Sequence, residues 1–60
     1  MTQFYLNNKP ITQGLAVHHL ANAMPHLDFK RVRDLVDFAR MGYKTAIKTV
    51  GEYGIHIEGV

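Results

Sequence analysis

Residues 28–50 read DFKRVRDLVDFARMGYKTAIKTV, and this stretch decides the fold that the sequence predicts. Its apolar side chains recur at steps of three and four residues, which is the seam of an amphipathic helix. The members of this seam are Phe29, Val32, Val36, Ala39, Tyr43, Ala46 and Val50. The steps keep their phase across Gly42, and one internal glycine costs a helix only about 1 kcal/mol. The pattern therefore favours a single helix over residues 29–50, with two helices kinked at Met41–Gly42 as the alternative.

Capping residues indicate where the helices begin. Asp28 is a good N-cap for the long helix. The residue before it and the fourth residue after it are apolar, which is the spacing of a hydrophobic staple. Thr12 is a plausible N-cap for a first helix over residues 13–24, which Pro25 ends.

Short strands are predicted at the two ends of the sequence. Residues 3–6 carry strand-forming side chains, and Asn7–Pro10 is typical of a turn. Any return strand after this turn has a weak edge, because proline cannot donate to a ladder. Residues 55–58 alternate apolar and polar side chains. The sequence thus predicts one mainly helical α+β domain over residues 1–60, in which a helical hairpin is flanked by terminal strands that can pair.

The small size of the chain limits its stability. Sixty residues without cysteine form no disulfide or thiolate metal site, although the 47% hydrophobic content is that of a globular domain. A first helix of about 12 residues cannot cover a seam of about 22 residues. The uncovered part, residues 40–50, needs either the terminal strands or a second copy of the chain. A two-fold homodimer is therefore one expected state.

The composition argues against an enzyme. Serine and cysteine are both absent, which excludes the usual nucleophilic triads. His18 and His19 are adjacent, so their side chains diverge on a helix, while His26 and His56 lie elsewhere. We therefore expect no catalytic residue, no metal or cofactor site and no small-molecule substrate.

Positive charge is concentrated in the second half of the sequence. Six of the seven basic residues lie between positions 30 and 48: Lys30, Arg31, Arg33, Arg40, Lys44 and Lys48. One interpretation is a solvated face on which these side chains pair with Asp34 and Asp37. The other is a basic surface for phosphates or for an acidic protein. The predicted contact surface for a protein partner consists of Phe38, Arg40, Met41, Lys44 and Lys48.

DNA binding is the second function that the sequence predicts. The segment Leu20–Leu35 can be threaded onto a helix-turn-helix, although its turn lacks glycine and is one residue too long. The predicted DNA contacts are Asp28, Lys30, Arg31 and Arg33, near the start of the second helix. A kinked long helix would place a further helix on the same basic side and would strengthen this alternative.

The whole chain also resembles the very small early-region proteins of lambdoid bacteriophages. The resemblance lies in the length and in the runs Leu15–Leu20 and Asp28–Val32. It implies a small, often self-associating helical regulator or host-interaction protein without enzymatic activity, and it transfers no site residue. Neither a signal peptide nor a membrane span is visible, so we expect a cytoplasmic protein.

Overall fold

The computed structural model describes residues 2–59 and contains a three-stranded sheet and three helices. The elements in chain order are β1 (Gln3–Leu6), β2 (Lys9–Ile11), α1 (Gln13–Ala23), α2 (Phe29–Arg40), α3 (Lys44–Glu52) and β3 (Ile55–Glu58). The sheet is antiparallel with the order β2-β1-β3, and α1 and α3 contact β1 and β3 respectively. The predicted mainly helical α+β class and the pairing of the two terminal strands are confirmed.

A two-residue turn joins β1 to β2. Asn7 and Asn8 both have positive φ, 53° and 67°. Two such residues form the turn that matches the twist of a tight hairpin, and asparagine tolerates this conformation. Pro10 lies in β2 opposite Tyr5. Its strand is at the edge of the sheet, as the missing N–H requires.

Side chains alternate between the two faces of the sheet. Ile55 and Ile57 of β3 are buried together with Phe4 of β1, whereas His56 and Glu58 are exposed. The inner face therefore closes one side of the apolar core, and the helices close the other.

Both predicted caps lie where the sequence places them. The Leu15 N–H donates to Thr12 Oγ1 at 3.2 Å, so Thr12 satisfies one of the free donors of α1. Asp28 precedes α2, but its carboxylate accepts no capping hydrogen bond. Its backbone carbonyl accepts the Val32 N–H instead, at 3.1 Å.

The prediction of one helix over residues 29–50 is wrong, and the kinked alternative is confirmed. α2 ends at Arg40 and α3 begins at Lys44. Gly42 has φ 96°, outside the helical region. Its N–H donates to the Ala39 carbonyl, and the Tyr43 N–H donates to the Phe38 carbonyl, both at 3.1 Å. These two bonds form a Schellman motif, which ends a helix by satisfying its last carbonyls around a left-handed glycine.

Because of this break, the α2 half and the α3 half of the apolar seam face each other. α3 packs against α2 and β3, so the seam positions of the two helices share one core. The buried members are Val32, Val36, Ala39, Ala46 and Val50. Phe29 and Tyr43, which the pattern assigns to the seam, are exposed. The stretch 40–50 is thus covered from within the chain, and the uncovered seam no longer calls for a second copy.

Two side-chain hydrogen bonds tie α1 to the other helices. Gln13 Nε2 donates to Asp37 Oδ1 in the last turns of α2. His19 Nε2 lies 2.8 Å from the Tyr53 carbonyl oxygen at the end of α3. Because a carbonyl only accepts, this ring nitrogen carries a hydrogen. The start and the middle of α1 are therefore held at separate points.

Candidate interaction surface

An apolar cluster is exposed where α2 meets α3. Phe38, Met41 and Tyr43, here called the elbow patch, are 44%, 57% and 58% exposed. The rings of Phe38 and Tyr43 stack with centroids 5.2 Å apart and planes 25° apart. Met41 follows Phe38 by three residues and lies on the same side of the helix end. Three large apolar side chains therefore meet solvent together, which is typical of a binding surface rather than of scattered surface residues.

The helix cap explains only part of this cluster. A Schellman motif commonly brings the third-last helical residue against the residue after the glycine, and Phe38 and Tyr43 occupy these two positions. Their stacking thus also stabilises the chain reversal. Met41 has no role in that contact, since only its backbone N–H takes part in ending the helix. Its exposed thioether adds a flexible apolar group that adapts readily to a partner.

Two cations follow the elbow patch along the chain, on α3. Lys44 and Lys48 are one helical turn apart and both are exposed. Within residues 2–59 the one contact of ion-pair length between a basic and an acidic side chain joins His56 Nε2 to Glu58 Oε2 at 3.2 Å. The basic side chains of α2 and α3 therefore do not pair with Asp34 or Asp37, contrary to the solvated-pair interpretation. Their charge remains available to a partner.

Arg40 is directed away from the other predicted contact residues. It follows Phe38 by two positions, which is a rotation of about 200° around the helix. Together with Gln13 and Leu15, it lines an open concavity of about 570 Å³ between β2 and the start of α1. Of the five residues predicted as a partner surface, Phe38 and Met41 lie three positions apart at the end of α2, Lys44 and Lys48 lie on α3, and Arg40 lines the concavity beside α1.

The residues predicted to contact DNA are exposed around the start of α2. Asp28, Lys30, Arg31 and Arg33 all face solvent. The link between α1 and α2 spans residues 24–28, whereas only residues 41–43 join α2 to α3. A turn of three or four residues, often with glycine, defines a helix-turn-helix. A turn of this length therefore occurs between α2 and α3 and not at the threaded segment Leu20–Leu35.

Clusters of metal-binding side chains are not found in the part of the chain that the structure describes. Residues 2–59 contain no group of three or more histidine, aspartate or glutamate side chains able to hold a metal ion. Across the same residues, no helix has the length and apolar character needed to cross a membrane.

No protein-family model, curated protein or solved structure matches the chain. Its function must therefore be inferred from its own residues. Tyr43 is the member of the elbow patch that sequence patterning missed, because the heptad seam assigns it to the core. The signal that identifies it is Gly42 with an apolar residue directly after it and another four residues before it, which is the pattern of a Schellman cap.

Proposed function

We propose that this chain is a non-enzymatic regulatory module that binds a protein partner through the elbow patch and the adjacent cations of α3. The carrying observation is the joint exposure of Phe38, Met41 and Tyr43 around one chain reversal. The other exposed large apolar side chains of residues 2–59, which are Leu15, Phe29 and Tyr53, occur singly along the chain. A non-enzymatic module of this size would act on its protein partner by covering part of the partner's surface. A cytoplasmic location and the resemblance to phage early-region proteins belong to the same proposal.

Charge complementarity indicates the chemistry of the partner. Lys44 and Lys48 are exposed on α3, which directly follows the patch, and Lys30 and Arg31 add positive charge on α2. Arg31 and Phe38 are seven residues apart and so lie on one line, about 10 Å apart along the helix axis. An amphipathic helix with an apolar stripe between glutamate rows matches this arrangement. The occupant we infer is such an acidic helical segment of another protein.

A synthetic helix tests this surface directly. The probe is a peptide with leucine at positions one, four and eight and glutamate on both sides of that stripe. When it is titrated into ¹⁵N-labelled protein, we expect amide shifts centred on residues 38–48, with smaller shifts around Lys30 and Arg31. Phe38→Ala and Met41→Ala should each weaken binding by about fivefold or more, because exposed anchors of this kind dominate interface energy.

The control variant is Leu15→Ala. Leu15 is as exposed as Met41 but lies on α1 beside the concavity. It should leave the affinity unchanged, and a peptide with lysine in place of glutamate should not bind. Equal losses from Leu15→Ala and Met41→Ala, or shifts centred outside residues 38–48, would contradict the proposal.

DNA binding is the second candidate, and the turn at residues 41–43 favours it. In that arrangement α3 would enter the major groove and present Lys44, Thr45 and Lys48, all exposed. Lys30, Arg31 and Arg33 would then contact phosphates from α2.

Fluorescence anisotropy with a mixed-sequence duplex at low salt separates this candidate from the first. Phosphate contacts make affinity fall steeply with salt, so Lys44→Ala and Lys48→Ala should each reduce the slope of log K against log salt by about 1. Lys9→Ala, in β2, is the control that should leave this slope unchanged. Absence of binding at 50 mM salt eliminates the DNA candidate and leaves the peptide result untouched.

A further inference from the structure

The outer edge of β3 is open. β3 pairs with β1 on one side only, in the register Phe4↔Ile57, Tyr5↔His56 and Leu6↔Ile55. In the described residues 2–59, no other backbone hydrogen bond involves residues 55–58. Unpaired strand groups of this kind act as a template for another strand.

The hairpin register shows which groups face that edge. Leu6 and Lys9 flank the two-residue turn and therefore exchange both backbone hydrogen bonds. Hydrogen-bonded and non-hydrogen-bonded pairs alternate along an antiparallel ladder, so Tyr5 directs its groups toward β3. Its partner there, His56, points back to β1. The N–H and C=O groups of Ile55 and Ile57 are consequently left facing the open edge.

The opposite edge of the sheet cannot serve in the same way. By the same alternation, the residue of β2 that faces outward is Pro10. Proline has no N–H, so this edge offers a carbonyl but no donor at its centre. Each chain thus has one edge suited to strand addition.

We propose that the β3 edge binds the β3 edge of a second copy of this chain, antiparallel across a two-fold axis. One register pairs every outward N–H and C=O group of Ile55 and Ile57. In it, Ile55 of each copy lies opposite Ile57 of the other copy, and each of these two residue pairs exchanges two hydrogen bonds. The edge is therefore complementary to itself, as an isologous interface requires. Because the β2 edge lacks a donor, assembly stops at a dimer with a continuous six-stranded sheet.

This register sets a side-chain contact that can be tested. His56 lies opposite His56 of the second copy, on the outer face that it shares with Tyr5, whose ring centroid is 6.0 Å away, and with Glu58. The isoleucines remain on the inner face with the core. His56 is exposed, so its substitution tests the pairing without disturbing the fold.

Three variants at this position form a matched set. His56→Lys and His56→Glu each place like charges directly opposite one another, and each should weaken dimerisation by about three- to tenfold in sedimentation equilibrium at up to 1 mM protein. An equimolar mixture of the two should associate as tightly as the unmodified chain. His56→Thr, which is neutral and a good strand former, should retain the dimer.

Amide hydrogen exchange supplies an independent measurement. The Ile55 and Ile57 amides should become protected as the protein concentration rises, while the Phe4 and Tyr5 amides stay protected throughout. A chain that is monomeric at 1 mM, or a dimer that neither His56→Lys nor His56→Glu weakens, would overturn the proposal. The outcome is separable from the elbow patch, because Phe38→Ala and Met41→Ala should leave this dimer intact.

Discussion

Replacing Leu20 with alanine is expected to remove about half of the free energy of unfolding of this chain at 25 °C. Leu20 is completely buried at the centre of α1. Truncating a buried leucine costs about 2–5 kcal/mol, because it removes apolar contacts and leaves a cavity. At about 0.05–0.15 kcal/mol per residue, a domain of this size has only about 3–9 kcal/mol of total stability. One substitution therefore removes a large share of the total stability, about half of it at the middle of both ranges.

The same substitution at Leu15 is the matched control. Leu15 lies in the same helix but is 56% exposed, so the change should alter the free energy of unfolding by no more than about 0.5 kcal/mol. Urea titrations followed by circular dichroism measure both variants. Similar midpoints for the two would contradict the orientation of α1 described above.

Alanine substitutions at Gly42 and Gly51 are expected to change the stability of the chain in opposite directions: Gly42→Ala should lower it and Gly51→Ala should raise it. An L-residue at position 42 must adopt the φ of 96° that the chain reversal requires, which costs about 1–2 kcal/mol. Gly51 lies within α3, and an added Cβ there meets nothing within 4 Å. Gly51→Ala should therefore stabilise the chain, by up to about 1 kcal/mol.

The direction of the stability change caused by Gly42→Ala distinguishes a broken helix from a continuous one. In a continuous helix, Gly42→Ala would stabilise the chain by about the amount expected at Gly51. A synthetic chain with D-alanine at position 42 should exceed the stability of the natural sequence, since D-residues favour positive φ and lose less entropy on folding. Thermal unfolding of the natural chain, Gly42→Ala and the D-alanine chain measures the order of their melting temperatures. If Gly42→Ala raised the melting temperature, the Schellman motif would not form in solution.

The sequence predicts the elements well but not how two of them meet. Caps, turn residues and proline positions are local signals, and they locate β1, α1, β3 and the start of α2 within a residue or two. The heptad seam is a different kind of signal. A straight helix would bury the seam side chains against a partner, whereas two helices joined at Gly42 bury the same side chains against each other. Both arrangements produce the same apolar periodicity. Periodicity reports which side chains are buried, not which element buries them.

The candidate surface was predictable to a similar extent. Phe38 and Met41 lie off the seam, so their exposure follows from the pattern alone. Tyr43 and Arg40 depend on the geometry of the reversal. The cap moves Tyr43 from the seam onto the Phe38 ring, and it leaves Arg40 on the flank beside α1.

The pairing of Gln3 with Glu58 also governs the order of folding. The central strand of the sheet and its outer neighbour come from opposite ends of the sequence, so joining them closes a loop of nearly the whole chain. The β1–β2 hairpin and the three helices need only local contacts, which form faster than such distant ones. The sheet is therefore the last part of the molecule to be completed. Until then the inner face of β1 lacks its β3 neighbour, and the nascent protein depends on its helices to hold the two ends within reach of each other.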